Sequence, residues 1–153
     1  MWQELQRFSA LERTARGMFL RAAALLPLLA VSLRFGGFRK TQAFLQKFLP
    51  LSNGPANSAA SGCSELTARM VRAAARRTVR RATCLEESLA LWWLLGRQGI
   101  ASELRVGVRK NGEEFQAHAW VERDGAALNE PEAAHQHYAA FDVALTSLPL
   151  KQG

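Results

Sequence analysis

The chain of 153 residues is 48% hydrophobic and 22% charged, the balance of a globular protein, which excludes a disordered chain. Its net charge of +7 is uneven: residues 1–81 carry 14 Lys/Arg against 3 Asp/Glu, and residues 82–153 carry 6 against 10, so a basic half precedes a mildly acidic one. Two cysteines, Cys63 and Cys84, exclude a disulfide scaffold. The longest apolar run, Ala22 to Leu33, contains Pro27 and falls short of the roughly 20 residues a spanning helix needs. It also starts late for a signal peptide and leads to no convincing cleavage site. The expected compartment is therefore the cytoplasm, with peripheral membrane contact left open.

In chain order, Leu5, Phe8, Leu11 and Ala15 recur at helical spacing and predict an amphipathic helix over 2–18. A second helix is expected over about 19–34, kinked or broken at Pro27, which lacks an N–H. Gly36-Gly37 ends it, and 38–49 resume the pattern before Pro50. Residues 51–63 are rich in Ser, Asn, Gly and Ala and predict a linker between an N-terminal helical region, 1–50, and a domain over 64–153. Cys63, at the end of that linker, is expected to be a spectator thiol.

Residues 64–81 predict a helix bearing arginines. On a helix Arg69, Arg72, Arg76 and Arg80 fall within about 80° of one another. Such a basic stripe suits an acidic peptide, partner or anionic surface as well as simple solvation. With no aromatic residues between the arginines and no Gly-rich phosphate loop, nucleic acid is not the expected partner.

Cys84 opens the next helix, which runs to about Gln98 and is apolar nearly all round, as a helix buried on several sides must be. A thiol at that position faces unpaired backbone N–H groups and the positive end of the helix dipole, the environment of a nucleophile. Glu86 and Glu87, one turn on, oppose this with negative charge and are expected to point away. Arg97 and Gly99, followed by Ile100, predict a Schellman ending. Leu104 to Arg109 then read as a half-buried strand with Gly107 as a candidate bulge, Asn111-Gly112 as a hairpin turn, and Phe115 to Glu122 as the returning strand. This succession of helices and an antiparallel meander is an α+β arrangement.

His118 and Trp120 share one face of the returning strand, and His118 is the candidate base for Cys84. The second turn decides what orients His118. A two-residue Asp124-Gly125 loop brings Asn129 diagonally beside it, whereas a three-residue Arg123-Asp124-Gly125 loop puts Glu130 directly opposite. Either side chain can fix the imidazole tautomer.

The runs Arg81-Ala82-Thr83-Cys84-Leu85-Glu86-Glu87-Ser88, Leu94-Leu95-Gly96-Arg97-Gln98-Gly99-Ile100 and Ala117-His118-Ala119-Trp120-Val121-Glu122 resemble the transglutaminase-like leader peptidases of lasso-peptide biosynthesis. The likeness covers about residues 64–132. It implies a transglutaminase-like (papain-like) cysteine protease core, with Cys84, His118 and Glu130 as the triad and Asn129 as the other candidate orienter. Relatives often have Asp where this chain has Glu130. The activity implied is removal of the leader from a ribosomally made precursor peptide before macrolactam closure, without a cofactor. Implied partners are the precursor, a separate small leader-recognition protein and an ATP-dependent lasso cyclase. Arg69, Arg72, Arg76, Arg80 and Trp120 are the candidate substrate- or partner-binding residues.

Two other readings compete. One is a non-catalytic module that docks a peptide or partner enzyme through its basic helices. The other is a metal site from Cys63, Cys84, His118, His135 and His137, whose spacing fits no familiar zinc pattern, so no metal is expected.

Overall fold

The computed structural model describes residues 2–49, 59–78, 80–129, 138–140 and 145–146. Three helices, α1 (Trp2–Lys47), α2 (Ala59–Arg77) and α3 (Cys84–Arg97), precede five strands, β1 (Glu103–Asn111), β2 (Glu114–Arg123), β3 (Ala126–Ala127), β4 (Ala139–Ala140) and β5 (Leu145–Thr146). The strands form one antiparallel sheet in the order β3-β2-β1-β4, with β5 also paired to β1. This is an α+β fold with a helical N-terminal region.

The first helix does not break at Pro27. It breaks at Gly37, where φ is 73° and ψ 173°, a conformation that a Cβ makes costly. Ser32 and Thr41 would lie about 13 Å apart along a straight helix. Their hydroxyls are 2.7 Å apart, and Thr41 also donates to the Gly37 carbonyl at 2.9 Å, so the chain folds back into two arms. Pro27 costs one hydrogen bond, but buried Ala22, Leu26 and Leu29 anchor the helix on both sides of it.

The second helix starts at Ala59, within the stretch predicted as linker, and ends at Arg77. Thr78 closes it by donating to the carbonyls of Ala75 and Arg80. Arg80 therefore lies outside the helix, and the expected stripe is continuous only through Arg69, Arg72 and Arg76.

The helical core is one cluster. Ala22, Leu26, Leu29 and Leu45 of α1 pack with Val71, Ala74 and Ala75 of α2, with Leu89, Leu91, Trp92 and Leu95 of α3, and with Leu104 and Val121 of the sheet. Two side chains of α3 also reach carbonyls at the end of α1: Trp93 Nε1 donates to Leu45 O at 3.0 Å, beside the Phe48 N–H that the same oxygen accepts, and Arg97 donates to Phe48 O at 2.9 Å. The far end of α3 has the predicted Schellman form. Gly99 takes φ 73°, Gly99 N–H donates to Gly96 O, and Ile100 N–H donates to Leu95 O.

Both hairpins are tight. Asn111 pairs with Glu114 and only Gly112 has positive φ, so the turn lies on Gly112-Glu113, one residue later than predicted, in the pattern of a II′ turn. Arg123 pairs with Ala126, and Asp124 and Gly125 have φ of 51° and 78°, the two positive angles of a I′ turn. The second loop thus has two residues. Gly107 is no bulge: it pairs in register with His118, and a Cβ there would come within 2.9 Å of the Trp120 ring and 3.0 Å of Ala139 O. Its hydrogen makes room for an indole.

Candidate active site

Cys84 is the first residue of α3, and Thr83 is its N-cap. Thr83 Oγ1 accepts from Glu86 N–H while the Glu86 carboxylate accepts from Thr83 N–H at 3.0 Å, a complete capping box. Glu87 N–H donates to Thr83 O. Those bonds satisfy the donors on either side and leave the N–H groups of Cys84 and Leu85 without a partner among the described residues. Two adjacent open donors beside a half-buried thiol are the elements of an oxyanion hole.

The two acidic residues that threatened this arrangement are matched by arginines. Glu86 is buried and its Oε1 lies 2.6 Å from Arg80, and Glu87 lies 3.9 Å from Arg72. Neither charge is left unbalanced beside the thiol.

Ser88, one turn along from Cys84, is the residue that the sequence reading passed over. It is fully buried, donates to Ala119 O at 2.9 Å and accepts from Asn129 Nδ2 at 2.9 Å. Asn129 Oδ1 in turn accepts from Val121 N–H at 2.8 Å, and Arg72 holds the Asn129 carbonyl at 2.6 Å. A polar relay thus rivets the start of α3 to β2 at the residue after His118. One signal in the sequence could have found it: Ser88 is the one hydroxyl of the helix, four residues after the cysteine and on the same face, where the apolar run begins.

The structure therefore brings Cys84 and the strand carrying His118 to one corner of the molecule. It does not close a hydrogen bond between them, since the Cys84 thiol makes none among the described residues. His118 sits in an aromatic layer, stacked on Trp120 at 6.1 Å between ring centroids and 5.0 Å from the Tyr138 ring, over which Arg109 lies at 4.9 Å. Trp120, expected at a binding surface, is buried, with Nε1 donating to Glu122 at 2.8 Å. Asn129 is close by, but the bonds of its amide described above go to Ser88 and Val121. Glu130, His135 and His137 lie outside the described residues.

Among the arginines expected to bind a partner, Arg69 and Arg76 are exposed. Arg80 is exposed as well but is tied to Glu86, and half-buried Arg72 is tied to Asn129 and Glu87. Cys63 is exposed on α2. No group of three metal-ligating side chains occurs among the described residues.

Comparison with curated proteins and with solved structures gives no match. A family model does match, over residues 22–142. That span takes in most of α1 as well as the cysteine helix and the sheet, and the superfamily it describes commonly includes cysteine proteases. With a cysteine at the head of a buried helix riveted to a histidine-bearing antiparallel sheet, the chain belongs to the transglutaminase-like superfamily.

Proposed function

We propose that this protein is a cysteine endopeptidase that removes the leader from a ribosomally made lasso-peptide precursor. The observation that carries the reading is the head of α3: Cys84 keeps its own N–H and that of Leu85 open, and Ser88 clamps the same helix to the strand of His118. The motifs around Cys84 and His118 supply the choice of substrate. Cys84 Sγ attacks the scissile carbonyl, the two open N–H groups receive the oxyanion, and His118 passes the thiol proton to the leaving amine. Water activated by His118 then cleaves the thioester and restores the thiol. This chemistry needs the imidazole within hydrogen-bond reach of sulfur, a contact that commonly tightens when substrate binds.

Glu130 is the proposed orienter of His118. The two-residue Asp124-Gly125 loop gives the register that the sequence assigned to Asn129 and not the one that put Glu130 directly opposite His118, but the Asn129 amide is engaged by Ser88 and Val121, and that engagement leaves the role to Glu130. The remaining partners are a small leader-recognition protein that delivers the precursor and an ATP-dependent cyclase that takes the freed core, all in the cytoplasm. Exposed Arg69 and Arg76 are the proposed contacts for such partners.

The test is mass spectrometry of precursor incubated with recognition protein and this chain. Cys84→Ala abolishes cleavage while precursor binding persists. Cleavage at the native rate by Cys84→Ala contradicts the assignment. Absence of cleavage by the native chain, with tight binding, makes it a docking module instead.

A further inference from the structure

The first arm of α1 is apolar on two opposite faces. Met18, Ala22, Leu26 and Leu29 lie within about 80° of one another and are buried in the core. On the other side Leu20, Leu28, Val31 and Phe35 also fall within about 80°, and they are 65%, 67%, 56% and 82% exposed. A helix apolar all round is normally covered all round. The second arm extends the outer face with Phe44 and Phe48, 59% and 51% exposed, packed edge to face at 5.0 Å. Six large apolar side chains on one bent helix thus face outward, whereas only Phe115 does so elsewhere among the described residues. Leu28, Phe44 and Phe48 line one cleft between the two arms, and exposed apolar surface of this kind marks a contact.

Charge says what kind. Residues 12–47 hold seven Lys/Arg and a single acid, Glu12. Arg16 and Arg34 flank the outer stripe on one side, Arg21 flanks it on the other, and all three are exposed. Arg39, Lys40 and Lys47 add charge on the second arm. An apolar stripe edged by cations is the pattern of a helix that lies in a lipid interface. Residues 12–47 are long and apolar enough to cross a membrane, and only 28% of their most apolar window is buried. Crossing, however, would pull Ala22, Leu26 and Leu29 out of the core and straighten the reversal at Gly37. Lying flat requires neither.

We infer that the outer face of α1 docks this protein peripherally on an anionic lipid bilayer. Leu20, Leu28, Val31 and Phe35 enter the acyl boundary while the flanking arginines meet lipid phosphates. The inference is independent of the peptidase reading: it uses neither Cys84 nor His118, although Val31 and Arg34 border a cavity shared with Thr83 and Leu85.

Flotation of the full chain with two kinds of vesicle tests it, one of phosphatidylcholine alone and one also containing phosphatidylglycerol. Binding is expected only to the anionic vesicles, and to fall at high salt as screening shortens the reach of the arginines. Val31→Ser/Phe35→Ser lowers partitioning about tenfold or more, with an unchanged circular dichroism spectrum because both side chains are already exposed. Arg16→Gln/Arg34→Gln weakens binding to the anionic vesicles while sparing the fold. No binding to either vesicle overturns the inference. So does equal, carbonate-resistant binding to both, which means a spanning helix. A concentration-dependent dimer that Phe35→Ser dissolves, with no flotation, assigns the face to a second copy and overturns it as well.

Discussion

The first arm of α1, from Met18 to Phe35, and α3 are both largely apolar and have opposite settings. In α3, leucines and tryptophans point in nearly every direction, and core, sheet and both other helices cover them. Both ends of α3 are capped, by the capping box at Thr83, which leaves two N–H groups open, and by the Schellman turn at Gly99. In α1 only one face is covered, and the chain bends back at Gly37. Composition alone does not separate the two. What separates them is the number of elements that reach them, and the difference suits their tasks: a rigid helix holds a nucleophile, and a half-covered one has a face to offer.

Substitutions can break that contrast, and their effects should fall in a definite order. Leu95→Ala in the fully buried helix should cost about 2–5 kcal/mol in denaturant unfolding. Ser88→Val should come next, at about 1–3 kcal/mol, because it strands Asn129 Nδ2 and Ala119 O in a buried place. It should also slow leader cleavage more than its stability loss explains, because the clamp between α3 and β2 is gone. Gly37→Ala should cost about 1–2 kcal/mol through the left-handed backbone at the reversal. Phe35→Ser, on the outer face of α1, should change stability by less than about 0.5 kcal/mol. A loss at Phe35 as large as that at Leu95 would mean that both helices are covered alike.

Much of the third helix was legible because its signals are local. Glycine followed by isoleucine after Arg97 fixes the far end through bonds only a few residues long; the capping box at the near end is equally local but was missed, because Glu86 was expected to point away and instead folds back onto Thr83. The hairpins were legible for the same reason, to within one residue at Gly112. The break in α1 was legible at Gly36-Gly37, and the chain does turn at Gly37, whose φ no other residue adopts so readily. The kink or break expected at Pro27 did not follow, because tertiary packing on both sides carried the helix through it. The extent of α2 was missed because small residues such as Ala59 and Ala60 suit a linker and a helix equally. Ser88, Asn129 and Gly107 owe their roles to partners 31, 41 and 13 positions away in the chain, and no local pattern encodes such a partner. Cys84 and His118 stood out through the motifs around them, which say more about chemistry than about geometry.

The central claim is that the setting of Cys84, and not its exposure, makes it reactive. Alkylation by iodoacetamide, followed by peptide mapping, measures that without any substrate. The chain carries its own control in Cys63, which is exposed where Cys84 is half-buried. Cys84 should be modified faster than Cys63, and His118→Ala should bring its rate down to that of Cys63 or below. Faster labelling of Cys63, or a Cys84 rate that His118→Ala leaves unchanged, would contradict the account.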